Sequence, residues 1–197
     1  MLMWLMSPRR RAAALLGATL LWAPCLLAFV DGPLPGMTGG FGEPSCQACH
    51  WAPVVDAPGT RLRVSGFPES YTPGARYRVT VSLEEPDLPR GGFQLAVRFA
   101  GGEAAGGQAG ALTALDEKAW IVAAGEPPVE YAQHSAAGTR ARAGLLTWEL
   151  AWTAPGVAHP VLLHVAANAA NDDASPLGDR VYLRSYGSVP SRPSPDG

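Results

Sequence analysis

The chain has 197 residues, 47% hydrophobic and 16% charged, with a formal net charge of −2 at pH 7. That length suits one domain with a sizeable core, and that charge excludes the basic surface a nucleic-acid partner requires. No glycine-rich phosphate loop opens a helix, so nucleotide chemistry has no support either.

Residues 1–30 read as a signal peptide or an N-terminal membrane anchor. Arg9, Arg10 and Arg11 form a basic start, and residues 12–30 are apolar and uncharged. Gly17 and Pro24 weaken a permanent spanning helix, and cleavage after Ala28 would release the remainder. Pro24 just before Cys25 fits a lipidation site poorly. The charge orientation sends the rest of the chain across the membrane. The domain is therefore expected to be exported, periplasmic or on the cell surface, with this segment as a membrane tether if it is retained. Removing it takes away three arginines and no acid, which leaves a more acidic domain whose only lysine is Lys118.

Residues 31–60 form a Gly/Pro-rich segment that carries Cys46-Gln47-Ala48-Cys49-His50. This is the C-x-x-C-H spacing of a c-type haem attachment site. Two thiols three residues apart can each add to one haem vinyl group, and the next histidine can supply nitrogen to the iron. After residue 30 these are the only two cysteines. The alternatives are a local disulfide or redox-active pair, and half of a zinc site that would still need two ligands. Export suits both haem attachment and a disulfide. The run 31–44 reads as extended loop, either passing close to a flat ring or acting as a flexible tether.

From residue 61 the pattern is short strands with Gly/Pro punctuation, expected over 61–65, 77–83, 93–99, 112–115, 120–123, 146–152, 161–167 and 181–186. Tyr77, Val79, Val81 and Leu83 alternate with polar residues, and Phe93, Leu95, Val97 and Phe99 alternate with Gln94, Ala96 and Arg98. Each such strand has one buried and one wet face. A turn falls at 71–74, a Gly/Ala loop at 100–110, and a loose Ser/Pro-rich tail at 189–197. No helical period persists over ten residues. The fold class is all-β: an immunoglobulin-like antiparallel β-sandwich over 61–188, preceded by the haem-motif loop and the signal or anchor segment. Trp148 and Trp152 are expected to fill its core.

Five separated blocks carry a resemblance. They are Gly36-Met37-Thr38-Gly39-Gly40-Phe41-Gly42-Glu43, Cys46-Gln47-Ala48-Cys49-His50, Gly92-Phe93-Gln94-Leu95, Trp152-Thr153-Ala154-Pro155 and Ala166-Ala167-Asn168-Ala169-Ala170-Asn171. In this order they resemble the bacterial Reeler-like family, also called choice-of-anchor V domains, from about residue 32 to 182. The resemblance implies an exported β-sandwich with a C-x-x-C-H segment ahead of it, and says less about activity. Many members carry a basic residue where Met37 stands, which speaks against Met37 as an iron ligand. The family likeness also includes a histidine in a Tyr-x-x-His setting, as in Tyr131-Ala132-Gln133-His134.

His50 is the expected proximal ligand. A c-type iron commonly takes a second His or Met. His134, at a strand end or loop before Gly138, is the leading candidate, with an ordinary surface histidine as the alternative. His159 precedes a proline in a turn, and His164 lies on an outward strand face. Asn168, Asn171, Asp172, Asp173 and Asp179 crowd one loop, where they suit either calcium or Asx turns. No Ser-His-Asp order and no helical H-E-x-x-H is present, so no enzyme is expected. A peroxidase would need an open iron site, and so a His134 that does not bind. The expected function is an exported mono-haem c-type cytochrome-like protein with covalent haem c at Cys46, Cys49 and His50, iron held by His50 and His134, and electrons exchanged with an unidentified redox partner protein. The alternative is a non-redox cell-surface interaction module with Cys46 and Cys49 bonded or free.

Overall fold

The computed structural model describes residues 29–55 and 61–192. Residues 1–28 of the expected signal or anchor segment, and the tail from residue 193, lie outside the described residues.

Among the described residues ten strands carry the fold: β1 (Leu62–Ser65), β2 (Ser70–Tyr71), β3 (Arg76–Glu84), β4 (Arg90–Phe99), β5 (Ala111–Ala114), β6 (Ala119–Ala124), β7 (Val129–His134), β8 (Leu145–Thr153), β9 (Val161–Ala170) and β10 (Arg180–Pro190). They form two sheets, one ordered β1-β3-β8-β5 and the other β2-β10-β9-β4-β7-β6. Every strand pairing is antiparallel except the short β2–β10 contact, which is parallel. The all-β sandwich expected from the alternation is the observed fold.

The core lies between the sheets. Val79, Val81 and Leu83 of β3 face Phe93, Leu95 and Val97 of β4 across one buried cluster. Trp148 and Trp152 are fully buried in it. The Trp148 ring lies 4.5 Å from that of Phe93, and Trp152 packs among Phe67, Tyr71 and Tyr77. A buried indole needs a partner for its N–H. Trp148 donates to the Gly138 carbonyl at 3.0 Å and Trp152 to the Ala109 carbonyl at 2.9 Å. Buried Glu85, just after β3, accepts from Arg180 and Tyr182 of β10. Burial pushes its carboxyl up, but those hydrogen bonds outweigh burial and hold it below the usual carboxylate range.

The wet face expected for β4 is instead covered. Gln94, Ala96 and Arg98 are as buried as the residues facing the core. Residues 31–45 form a third layer over this sheet, so in this stretch the tether reading does not hold. The Gln94 side chain bridges the layer: its amide donates to the Leu34 carbonyl at 3.0 Å and to Gln133 Oε1 at 2.8 Å, and its oxygen accepts from the Met37 amide. Arg98 pairs with Glu43, and the Tyr131 hydroxyl donates to Glu43 at 2.6 Å. Gly40 allows the closest approach, since a Cβ there would lie 2.2 Å from His164 Cγ.

Three further expectations change. β7 was not anticipated, because the layer and the core bury both its faces and leave no alternation. β9 extends through Ala170, which puts Asn168 on a strand and not on a loop. β10 extends through Pro190, pairing Val189 and Pro190 with β2, so the tail begins later than residue 189.

Candidate functional site

The motif forms a short 3-10 turn, Cys46–Ala48. Ser45 Oγ accepts from the Gln47 amide, and the Cys46 carbonyl accepts from the amides of Cys49 and His50 at 3.2 and 2.9 Å. At three residues per turn, side chains three apart eclipse. Cys46 and Cys49 therefore point the same way, and both line a cleft of about 240 Å³. Both are free thiols. Burial, with Cys49 alongside, pushes the Cys46 thiol up to about 12. Such a thiol stays protonated at neutral pH, which suits a redox-active nucleophile poorly.

His50 is held from behind. Its Nδ1 lies 2.5 Å from Asp179 Oδ2, and Asp179 also accepts from Asn168 Nδ2 at 3.0 Å and the Asn171 amide at 3.1 Å. Burial raises the Asp179 pKa, but the hydrogen bonds from His50 and Asn168 outweigh it and keep the carboxyl below its ordinary value. Asp179 orients the His50 ring through Nδ1, which turns Nε2 away from the carboxylate. Asn168 Oδ1 is buried with no hydrogen-bond partner among the described residues.

The facing wall comes from the start of β4 and the end of β7. Gly91, Gly92, Phe93 and His134 line it. A Cβ on Gly92 would lie 2.4 Å from His134 Cε1, so only glycine lets the imidazole lie against the strand. The Phe93 amide donates to His134 Nδ1 at 3.1 Å, and His134 Nε2 lies 3.3 Å from the Phe29 carbonyl. Burial lowers the His134 pKa, only partly offset by these backbone contacts, and the nearby His50 lowers it further. A neutral imidazole is the form that ligates metal.

Cys46, Cys49, His50 and His134 thus reach one cleft from separate parts of the chain, with Phe29, Leu34 and Met37 as apolar lining. His159 and His164 lie elsewhere. His159 packs edge-on to Phe99, and His164 is covered by Gly40 and Phe41 with its Nδ1 2.7 Å from Ser185 Oγ. The acidic loop is held by the protein itself. Asp172 pairs with Arg90 at 2.7 Å, Asp173 accepts from the Ser175 amide at 2.8 Å, and Asp179 serves His50. Among the described residues no group of three or more His, Cys, Asp and Glu side chains is placed to hold a metal ion. The roles of Asp179 behind His50 and of Gly92 beneath His134 escaped the sequence reading. A glycine pair heading a predicted strand was the available signal, because glycine there marks a close approach.

The fold and cleft define a β-sandwich module whose face carries an apolar cleft lined by two thiols and two imidazoles. Among solved structures, the chain is similar to the human F-spondin reeler domain, at 25% identity and a TM-score of 0.45, covering 66% of this chain and 87% of that one. It is also similar to the Reelin-N domain of F-spondin, at 21% identity and a TM-score of 0.47, covering 75% and 96%. A cohesin module from Clostridium perfringens gives 9% identity and a TM-score of 0.41, covering 66% and 96%. At these TM-scores the likenesses establish no family, and the sandwich assignment rests on the strand pairing above. No protein-family model and no curated protein matches the chain.

Proposed function

We propose that this chain is an exported, non-enzymatic binding module whose cleft takes a c-type haem, attached through Cys46 and Cys49 and ligated by His50 and His134. The convergence of those four side chains on one apolar cleft carries the reading. The donor set suits the group. Two thiols share one side of a turn, His50 is held through Nδ1 with Nε2 turned away from Asp179, and burial favours the neutral imidazole of His134. Gly92 lets the His134 imidazole lie against β4 at the cleft wall.

When bound, haem iron supplies a one-electron couple and the module exchanges electrons with a partner. The residues do the positioning. The 3-10 turn aims both thiols, Asp179 orients His50, and Gly92 leaves room for His134. His134 must exchange its Phe29 carbonyl contact for the ligand. Phe29, Leu34, Met37 and Phe93 supply the apolar lining of the cleft.

A second reading is a non-redox cell-surface interaction module. Exposed Trp51 and Leu177 favour it: they lie on segments joined by the hydrogen bond from the Trp51 amide to the Pro176 carbonyl, and neighbouring exposed apolar side chains mark contact surfaces. A visible spectrum of protein matured in a host that attaches haem separates the two. A Soret and an α band that survive acid-acetone extraction support haem, and a colourless protein supports the interaction module.

A further inference from the structure

Arg90 is the one guanidinium or ammonium group lining the cleft among the described residues. It stands at the head of β4, beside Gly91 and Gly92, with its side chain three-quarters buried at 25% exposure. Its Nε donates to Asp172 Oδ1 at 2.7 Å, and its Nη1 donates to Thr139 Oγ1 at 3.3 Å. Thr139 is itself buried, and its hydroxyl is turned to the Ala136 carbonyl at 3.0 Å, so it presents a lone pair to Arg90. An arginine has five N–H donors in a planar fork. Two are engaged here, and Nη2 has no partner among the described residues.

A guanidinium at the edge of an apolar cleft, clamped in place with donors to spare, is a built site for a planar anion. We propose that Arg90, held by Thr139, recognises a carboxylate on the molecule that fills the cleft. This rests on the haem reading above, in which a haem propionate is that carboxylate. Asp172 is the resident acid, on an exposed loop at 41% side-chain exposure. An incoming carboxylate takes the free Nη2 beside Asp172 or displaces it from Nε. Where Asp172 keeps Nε, Arg90 bridges the ligand to the loop 171–176, which lines the same cleft.

The test uses the full chain with its thiols reduced, titrated with ferric mesohaem and with ferric mesohaem dimethyl ester. Mesohaem has ethyl groups in place of vinyls, so binding stays non-covalent. Each titration follows the Soret shift. Charge-assisted hydrogen bonds predict that the wild type binds the diacid about 10- to 100-fold more tightly than the diester. Arg90→Gln should bring that ratio near one through loss of diacid affinity alone, and Arg90→Lys should retain part of it. The diester affinity, unchanged between variants, reports that the cleft is intact. An equal diacid preference in wild type and Arg90→Gln overturns the carboxylate assignment and leaves the haem reading standing. Binding of neither porphyrin by the wild type overturns both.

Discussion

Replacing Gly92 by alanine tests how His134 is seated without touching any ligand atom. The new Cβ would sit 2.4, 2.5 and 2.9 Å from three atoms of the imidazole. Ordinary contact needs roughly 3.5 Å, so the ring must retreat by about 1 Å, and the 3.1 Å bond from the Phe93 amide is lost with it. Overpacking of this kind costs about 1–3 kcal/mol. For a domain of this size that is a drop in Tm of roughly 2–12 °C. Gly92 has no positive φ, so alanine is free to adopt its backbone. The penalty should therefore come from His134 alone, and a double-mutant cycle isolates it. In a His134→Ala background, Gly92→Ala should be neutral or slightly stabilising. Thermal melts of the four proteins without haem supply the measurement. Equal destabilisation by Gly92→Ala in both backgrounds would refute the proposed seating.

The other predictions concern the iron and the pH response. His134→Ala in the haem-loaded protein should give a high-spin spectrum and ready carbon monoxide uptake on reduction, while His159→Ala and His164→Ala leave the spectrum alone. A high-spin wild type would remove His134 as ligand. Glu85→Gln should cost about 1.5 kcal/mol at pH 7, the low end for charged hydrogen bonds because Arg180 is half exposed. The folded pKa of Glu85 lies below its unfolded value near 4.5, so its stabilisation is present above that value and lost as pH falls through the folded one. The melting gap between wild type and Glu85→Gln should therefore close between about pH 4.5 and lower values, and a gap constant with pH would contradict the pairing.

The strands that were legible were those with one buried face. β3 and β8 show clean alternation because only the core side of that sheet is covered. β7 and the true extent of β9 were hidden, because a third layer buries the outer face as well and erases the period of two. That layer, residues 31–45, read as loop for a sound local reason, since Gly and Pro dominate it. Its docking depends on Glu43 meeting Arg98 and on Gln94 meeting Leu34 and Met37, pairings more than fifty residues apart that no local pattern encodes. In the site, Cys46, Cys49 and His50 were visible as a spacing. His134 needed a family likeness as well as its place at a strand end. Asp179 looked like one of several loop acids, and only the fold sets it behind His50.

Covalent haem content is the most direct measure of the central claim. The chain, with its leader, is produced in a host that attaches haem to exported proteins, and the purified product is assayed on denaturing gels and as a pyridine haemochrome. The wild type should carry one haem per chain, Cys46→Ala and Cys49→Ala less, and the double variant none, with the sheet signal in circular dichroism retained throughout. A folded wild type without covalent haem would contradict it and leave the cell-surface interaction module as the function.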